Sequence, residues 1–474
     1  FAGIYVGAIP GLSVTMAASI LISFTFSWEV NHALCLMVGV FMGGVYGGSR
    51  TAILLNIPGA PGAIASAFDG YPLAQKGLAG EAIGLATTMS FIGGFLGILV
   101  LAVAAPFVSE FALRFQPRDY LLLALLGILL VGSLSGESLT KGIFAGALGL
   151  LIGSVGLDPL TTEERFTFGV VELWGGVSFV AVMIGMFGVA EALVQLHHVD
   201  KAVVKQKIGR IVPSLRAVRR HISVAIQSSG IGVIIGALPG TGGDIAALMA
   251  YDHAKRITKK PKTPFGKGAE EGLVAPETAN NAAVGGAFIP MITLGIPGDA
   301  VTAIIIGALF IHGLNPGPML MITQPDMFWF IVGALTLANI FMLIFGLTGV
   351  RLFSKIVEIP RSVLIPFILL LSIVGAFAVR NSLTDVYFML GFGVLGYFMK
   401  LYGYQVGPVI LGVILSRLID ENWRRAIISE RESLPDLFIG IVTHPVSLIL
   451  FVAVVWIFFS QTPIWRRLRG RQTA

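Results

Sequence analysis

Long apolar runs follow one another along the whole chain and are separated by short polar loops. Each run is near the roughly 20 residues that a helix needs to cross about 30 Å of hydrocarbon, which predicts an all-α polytopic membrane protein of roughly 10–12 transmembrane segments. Pro-Gly pairs interrupt the apolar pattern at Pro10, Pro58, Pro239 and Pro297. Because proline removes a backbone donor and glycine permits tight turns, each pair is expected to break a helix.

Two parts of the chain resemble each other. The stretch "GIYVGAIPGLSVTMAAS" from Gly3 aligns without gaps on "GVIIGALPGTGGDIAAL" from Gly232, an offset of 229 residues. Downstream, "VYGGSRTAILLNIPG" ending at Gly59 aligns on "VGGAFIPMITLGIPG" ending at Gly298, an offset of 239 residues. The pattern predicts two copies of one structural unit, with a longer loop in the second copy.

The distribution of charge predicts how these copies are oriented. The loop after the first motif of copy two is basic, whereas its counterpart in copy one, "SWEVNHA", contains Glu29 and no lysine or arginine. Since basic loops stay in the cytoplasm, the two copies are expected to form inverted repeats, a common plan of secondary transporters. Basic segments on both sides of Pro239 further predict a re-entrant hairpin. The basic loop residues are Lys255, Arg256, Lys259, Lys260, Lys262 and Lys267.

These patterns divide the chain into four parts. The first residue, Phe1, already belongs to an apolar stretch, so we expect the natural N-terminus to lie further upstream. The predicted parts are a first transmembrane repeat over 1–200, a basic cytoplasmic linker over 201–221, a second repeat with C-terminal helices over 222–460, and a basic tail over 461–474.

Composition agrees with a membrane protein. Of 474 residues, 55% are hydrophobic and 12% are charged, against about 25% charged residues in soluble domains. The net charge of +6 comes from loops beside apolar runs, so it indicates membrane topology and no nucleic-acid partner. A single cysteine, Cys35, excludes an intrachain disulfide framework.

The helix breaks are the first candidates for a binding site. An unpaired backbone amide or carbonyl in lipid costs several kcal/mol, so a break has to be buried in protein or line a polar cavity. Exposed amides at a half-helix N-terminus suit a carboxylate, and freed carbonyls at a C-terminus suit a cation. A single Pro-Gly pair could merely kink a helix, but four breaks at matched positions favour a site.

Polar residues crowd the predicted hairpin tips. Arg50 is a natural partner for a carboxylate because its guanidinium binds both oxygens; the alternatives are a structural ion pair with Glu277 and an interfacial position. The candidates for substrate binding are Ser49, Arg50, Thr51, Asn56, Pro58, Gly59, Asn280, Asn281, Pro297 and Gly298.

A second set of residues is predicted to bind the coupling ion. Asp244 and Asp299 each follow a break, where a carboxylate could bind Na⁺, carry a proton, or cap the next half-helix. Ionisable side chains inside a membrane are costly and point to function. The candidates for ion binding are Gly11, Gly240, Thr241, Asp244, Glu277 and Asp299.

Other chemistry lacks its sequence signature. The seven histidines do not have the HExxH spacing of a metal site. Neither "GTGG" nor "GGSR" fits a phosphate-binding loop with its lysine and hydroxyl, and "GGSRT" is not a nucleophile elbow. We therefore expect no enzymatic activity, no resident metal and no cofactor, with Na⁺ or H⁺ as the coupling ion.

Three motifs together resemble one transporter family. These are "GGSRTAILLNIPGAPGAIASAFDGYPLAQKG", "GALPGTGGDIAALMAYDHAKR" and "APETANNAAVGGAFIPMITLGIPGDAVTAIIIGALFIHGLNPGP". They are similar to the large membrane subunit of bacterial tripartite tricarboxylate transporters, the TctA family, over essentially the whole chain. The resemblance implies a multi-pass protein of the bacterial inner membrane that works with a small membrane subunit and a periplasmic solute-binding protein. It leaves the carboxylate and a homodimer open.

Together these patterns predict a permease that imports a carboxylate by alternating access, coupled to a cation gradient, with Na⁺ favoured as the cation. The resemblance implies citrate or a related di- or monocarboxylate as the substrate. A channel would need a continuous polar pore, whereas the polar residues cluster at the breaks. An intramembrane enzyme could use Glu277 and Asp244 as acid and base, but no catalytic spacing supports it. A purely structural scaffold would not need four matched breaks.

Overall fold

The computed structural model describes residues 1–9, 12–57, 59–134, 138–158, 161–196, 209, 211–350, 361–429 and 433–460. Helices dominate this part of the chain, as predicted. Those before residue 200 are α1 (Ala2–Gly7), α2 (Val14–Thr25), α3 (Val30–Leu55), α4 (Ala63–Leu73), α5 (Ala79–Ala112), α6 (Pro117–Leu134), α7 (Leu139–Gly153), α8 (Phe179–Met183) and α9 (Ala190–Gln195). Short π-helical segments at Ala74–Leu78 and Ile184–Val189 connect α4 to α5 and α8 to α9.

The later part of the chain is also helical. Its helices are α10 (Leu215–Gly236), α11 (Gly242–Ile257), α12 (Glu270–Leu294), α13 (Ala300–Ile311), α14 (Pro318–Thr323), α15 (Pro325–Thr348), α16 (Arg361–Arg380), α17 (Leu383–Leu401), α18 (Gly407–Ser429), α19 (Leu434–Thr443) and α20 (Pro445–Ser460). The described strands, β1 (Gly156–Leu157) and β2 (Glu164–Arg165), pair antiparallel in the loop after α7, which also contains a 3₁₀ turn at Val171–Leu173.

Helices stop at each of the four predicted breaks. The gaps lie between α1 and α2, α3 and α4, α10 and α11, and α12 and α13. Pro239 and Pro297 occupy two of the gaps, while Pro10 and Pro58 lie outside the described residues. Residues 201–208 and 210 of the predicted linker lie outside the described part. The last residues of this linker belong to α10, and so does Ile222, where the predicted second repeat begins. The predicted tail, 461–474, also lies outside the described part.

The helix α12 forms the centre of the molecule. All its residues from Gly272 to Thr293 are buried, and it packs against α5, α10 and α11. Small residues allow this close approach, because a Cβ atom on Gly93 or Gly97 would overlap the backbone of α12. The polar side chains of α12 are therefore shielded from lipid by protein.

Equivalent glycines make equivalent contacts in the two aligned segments. In the first, α1 packs on α3; in the second, α10 packs on α12. At each contact a Cβ on the glycine would overlap the partner's backbone. The contacts are Gly3 on Val40, Gly7 on Gly44 and Gly47 on Ile4, matched by Gly232 on Ala279, Gly236 on Ala283 and Gly286 on Val233. Every pair follows the offsets of 229 and 239 residues found in the alignment.

Few of the described helices are continuous apolar spans. Three are long and apolar enough to cross a membrane, namely Val30–Leu55, Ala63–Ala112 and Pro325–Thr348, and the pair α19 and α20, bent by 100°, would make four. The predicted 10–12 segments are thus not seen as that many uninterrupted spans. The physical reason is that apolar stretches are split into shorter helices at the breaks, and that α12 carries polar groups inside.

Candidate functional site

All four helix breaks meet at one cavity of about 110 Å³. It lies between the ends of α2, α4, α11 and α13 and the side of α12. Its lining residues are Ser13, Val14, Thr15, Phe41, Val45, Ala60, Pro61, Gly242, Gly243, Asp244, Asn280, Val284, Asp299, Ala300 and Val301.

Four helix N-termini surround this cavity, because α2, α4, α11 and α13 all begin at or within two residues of a lining residue. Ser13 caps α2, since its Oγ accepts a hydrogen bond from the Met16 amide at 3.0 Å. Asp299 caps α13 in a capping box, in which its Oδ1 accepts from the Thr302 amide at 2.7 Å. Each N-terminus carries partial positive charge, so the cavity wall favours anions.

The turn "PGTGG" places Asp244 at the cavity. Gly240 and Gly242 adopt positive φ angles of 72° and 65°, a conformation that glycine takes at little cost. Thr241 Oγ1 donates to the carbonyls of Leu238, at 3.0 Å, and Ile235, which satisfies acceptors at the end of α10. The chain thus reverses tightly and Asp244 enters the first turn of α11.

Asp244 lies at the cavity beside the start of α4. Its side chain is exposed to the cavity and lies close to Gly62. A Cβ on Gly62 would lie 2.8 Å from Asn280 Oδ1 and 2.9 Å from Asp244 Oδ1. Only glycine at position 62 allows the side chains of Asn280 and Asp244 to lie this close to the backbone at the start of α4.

Asn280 is a buried amide that opens only onto the cavity. The residue is 4% exposed and its amide packs against Gly62 and Gly243. Its side chain forms no hydrogen bond with any residue that the structure describes. Since buried polar groups are nearly always hydrogen-bonded, this amide is a strong candidate ligand-binding group.

The lining residues come from corresponding positions of the two aligned segments. An offset of 229 residues relates those just after each first break, and an offset of 239 residues relates the others. The corresponding pairs are Ser13 and Gly242, Val14 and Gly243, Thr15 and Asp244, Phe41 and Asn280, Val45 and Val284, Ala60 and Asp299, and Pro61 and Ala300.

Glu277 and Asn281 belong to the protein interior beside the cavity. The Glu277 carboxylate accepts hydrogen bonds from Ser66 and, at 2.8 Å, from Ser90. Asn281 Nδ2 donates to the Glu277 carbonyl at 3.0 Å. Glu277 lies one turn of α12 before Asn280, and neither Glu277 nor Asn281 lines the cavity.

Arg50 points away from the cavity, towards α5 and α15. Its Nε and one terminal nitrogen donate to Tyr46 Oη at 3.0 and 2.7 Å, and that nitrogen also donates to the Gly346 carbonyl at 2.5 Å. Tyr46 in turn bonds Thr87 at 2.5 Å. The expected role of Arg50 as a direct substrate partner is therefore not supported by its position in this structure.

Other candidates at the first hairpin serve the backbone. Thr51 Oγ1 donates to the Gly48 carbonyl at 3.1 Å, and the Gly59 amide donates to the same carbonyl at 3.2 Å. Ser49 is buried within α3. These three residues lie outside the cavity lining.

Asn56 ends α3 and is exposed. It adopts φ 56° and ψ 31°, and its counterpart Gly295 ends α12 with φ 71° and ψ 19°. The left-handed conformation explains why asparagine or glycine stands here. Pro297 and Gly298 are buried next to the lining residue Asp299, and Gly11 and Pro58 lie outside the described residues.

The structure thus brings together Asp244, Asn280 and Asp299 from the predicted set, with Gly240 and Thr241 shaping the turn. Sequence reasoning missed Ser13 and Thr15. The signal was present, because Thr15 aligns with Asp244 in the repeat. Within the described part of the chain, no group of three His, Cys, Asp or Glu side chains could hold a metal ion.

Comparison with known proteins identifies the family of the chain. The model of the tripartite tricarboxylate transporter TctA family matches residues 1–411. The chain belongs to the TctA family. A relative from Agrobacterium vitis, described as an uncharacterized 52.8 kDa protein in the TAR-I ttuC' 3' region, is 36% identical over 471 residues, covering 99% of this chain and 93% of the relative.

A second relative from Agrobacterium vitis, described as an uncharacterized protein in the TAR-II ttuC' 3' region, is 36% identical over 241 residues, which are 51% of this chain and 98% of the relative. No solved structure matches the chain. Membership of the TctA family makes the chain a multi-pass membrane component of tricarboxylate transport. A tripartite system also implies a solute-binding protein and a small membrane subunit as partners.

Proposed function

We propose that this chain is the permease subunit of a binding-protein-dependent secondary transporter that imports a carboxylate together with a cation. The substrate is citrate or a related di- or monocarboxylate, and the coupling ion is Na⁺. The cavity at the four helix breaks is the transport site. Its four surrounding helix N-termini are the observation that carries the proposal.

The chemistry of the cavity fits both ligands. Helix N-termini attract a carboxylate through their dipoles and free amides. Asp244 and Asp299 provide negative charge for a cation. In other secondary transporters the coupling cation also binds where a helix is broken. A cavity that attracts both signs of charge is expected of a symporter.

Coupling to a cation also has an energetic reason. Moving one elementary charge across a membrane potential involves about 2.3 kcal/mol per 100 mV. A di- or trianion that enters a negatively charged cell works against this potential. Co-transported cations neutralise the anion and supply the driving force, so uptake coupled to Na⁺ is favoured over passive entry.

Alternating access follows from the duplicated architecture. Matching glycine contacts and matching cavity positions relate the two aligned segments, and the basic loop after α11 supports an inverted orientation of the second. The paired half-helices α10 and α11 then form a re-entrant hairpin that begins and ends in the cytoplasm. Rocking of one unit against the other would expose the cavity to each side of the inner membrane in turn.

Uptake into proteoliposomes tests this function. The permease is reconstituted with its small subunit and loaded binding protein, and labelled citrate and smaller carboxylates are supplied under imposed Na⁺ or pH gradients. We expect accumulation of one compound that requires the binding protein and the Na⁺ gradient, and that is lost in Asp244→Ala. Uptake independent of both gradients in the wild type would contradict a coupled transporter.

A further inference from the structure

The two halves of the cavity differ in charge although their positions correspond. Asp244 and Asp299 both come from the second aligned segment. The corresponding positions of the first segment hold Thr15 and Ala60, which are neutral. Both carboxylates of the cavity lining therefore come from the second segment, and the first segment contributes only hydroxyl-bearing and apolar residues.

This difference changes the field at the helix ends. On the second-segment side, Asp299 caps α13 and Asp244 lies in the first turn of α11, so each helix dipole already has an anionic partner. On the first-segment side, α2 begins with Ser13 and Thr15, whose hydroxyls lie 2.8 Å apart. This end keeps its positive potential and offers hydroxyl and amide donors.

Asn280 adds an independent observation next to Asp244, one of the two aspartates. It is 4% exposed, lines the cavity, and makes no side-chain hydrogen bond within the described structure. Its counterpart in the first segment is Phe41, which has no polar atom. A buried amide that opens only onto a cavity needs a ligand to satisfy it.

We propose that the cavity holds its two ligands in separate halves, an inference that rests on the proposed function. Na⁺ binds between Asp244, Asp299 and the amide oxygen of Asn280. A substrate carboxylate binds at the N-terminus of α2, where the hydrogen-bonded pair of Ser13 and Thr15 hydroxyls keeps one proton to donate. A hard cation takes oxygen ligands, and these three side chains of the cavity lining supply carboxylate and amide oxygens.

Separate halves in one small cavity make binding cooperative. Na⁺ next to the two aspartates removes negative charge that would repel the incoming carboxylate, and the carboxylate in turn attracts Na⁺. By linkage the two ligands raise each other's affinity by the same factor. The coupling of cation and carboxylate binding would then have arisen when the two copies of the repeat came to differ at the corresponding positions Thr15 and Asp244.

Binding of Na⁺ alone tests the cation half without any substrate. The purified permease complex is heated in NaCl or in choline chloride of equal ionic strength, and the rise in Tm with Na⁺ concentration is recorded. Asp244→Asn and Asp299→Asn are expected to raise the half-saturating Na⁺ concentration by at least about tenfold, because hydrogen bonds and contacts to a charged group are lost. Asparagine still caps a helix, so α13 is preserved.

Asp326→Asn is the matched control. Asp326 lies exposed in the first turn of α15, outside the cavity, so the same chemical change there should leave the Na⁺ response as in the wild type. An unchanged Na⁺ response in both Asp244→Asn and Asp299→Asn would overturn the cation half. So would a wild-type Tm that does not depend on Na⁺, or wild-type uptake driven only by protons.

Uptake kinetics at saturating Na⁺ test the carboxylate half. Thr15→Val is expected to raise the KM for the labelled carboxylate that the wild type accumulates by about tenfold, since a hydrogen bond to a charged group is lost. Thr15→Ser should restore the KM, and neither variant should change the Na⁺ dependence of Tm. A KM unchanged in Thr15→Val, or one raised equally in Thr15→Ser, would overturn this half.

These results are separable from the function itself. Gradient-driven uptake by the wild type supports the proposed function whichever half of the inference fails. If no carboxylate is taken up by a complex with loaded binding protein, the proposed function fails, and with it the carboxylate half. The Na⁺ titration of Tm still decides the cation half.

Discussion

Gly62 is a position where the absence of a side chain builds the site. A Cβ atom here would lie within 3 Å of both Asp244 Oδ1 and Asn280 Oδ1. Both side chains can therefore approach the start of α4 only because Gly62 has no Cβ atom. Any larger residue must displace at least one of them.

Gly62→Ala should consequently lower carboxylate uptake by at least about tenfold, because even about 1.4 kcal/mol of lost binding has this effect. Initial uptake rates in proteoliposomes measure it. The matched control is Gly333→Ala in α15, where a Cβ would meet no atom within 4 Å. Equal uptake by both variants would show that the approach at Gly62 is unimportant for transport.

Asn56 should matter for stability and not for substrate affinity. Because it takes a left-handed conformation at the end of α3, Asn56→Gly should be tolerated, whereas Asn56→Ala should cost about 1 kcal/mol of folding stability. Thermal unfolding in detergent and the KM for uptake separate the two effects. A raised KM in Asn56→Gly would restore Asn56 as a substrate ligand.

The residues that the sequence placed correctly are those whose role depends on chain position. Asp244 and Asp299 follow breaks, so their place at the helix ends could be predicted. Arg50 could not be placed, because its direction depends on the packing of α3 against α5 and α15, which no local pattern reveals. The sequence alone did not separate two roles for Asn56, because asparagine serves both polar contacts and left-handed caps.

Among the helices, α4 is tied to the loop before α12 by a buried carboxylate. Asp69 Oδ1 accepts from the Gly268 and Ala269 amides, both at 2.7 Å, and Oδ2 accepts from Tyr251 Oη at 3.0 Å. Tyr251 belongs to α11. One side chain therefore joins two of the helices that begin at the cavity to the start of α12.

Asp69→Ala should lower the free energy of unfolding by about 1–3 kcal/mol for each buried amide left without an acceptor. Asp69→Asn keeps an oxygen for both amides and should lose less. The Tm values of the two variants in detergent make the comparison. Equal losses would mean that the charge of Asp69, and not its acceptor geometry, stabilises the junction.

The contact between α10 and the start of α12 is expected to depend on pH. His221 Nε2 lies 2.8 Å from Glu270 Oε2, and this hydrogen bond, with the positive charge of His221, Arg220 and Lys262, lowers the pKa of Glu270 below its ordinary value of 4.5. A lowered folded-state pKa stabilises the protein above the unfolded-state pKa, and the contribution disappears as pH falls through the folded-state value.

The difference in Tm between the wild type and Glu270→Gln should therefore be constant near neutral pH and shrink only below about pH 4.5, the ordinary value for glutamate. Thermal unfolding between pH 7 and pH 4 measures it. A difference that already vanishes near pH 6, or that stays constant down to pH 4, would contradict the assignment to Glu270. The half-buried position of Glu270 limits the size of the effect.

The helix breaks themselves were the most predictable elements. Pro-Gly pairs inside apolar runs have few other outcomes, and helices end at all four places. The number of spans was harder to predict, because hydropathy does not distinguish a half-helix from a short span. The convergence of the breaks on one cavity could be expected only from the repeat, since it depends on contacts between segments more than 200 residues apart.

For the molecule as a whole, the proposed inversion of the two repeats predicts which side of the membrane each loop faces. Cys35 is the single cysteine, so Cys35→Ser provides a background for labelling. In that background, Glu29→Cys should react with a membrane-impermeant maleimide in intact cells, and Lys262→Cys should react only after the membrane is opened. Both positions are exposed, and equal labelling from one side would contradict inversion of the repeats.

The burial of α12 also constrains how the protein is made. This helix carries Glu277, Asn280 and Asn281 near its middle, and charged residues there cost about 2.5–3.5 kcal/mol in membrane insertion. Among the described helices, α12 does not belong to those that are long and apolar enough to cross a membrane on their own. Insertion of α12 is therefore expected to require the protein surface that α5 and α10 provide. The cavity would then form only after these earlier helices are in the membrane.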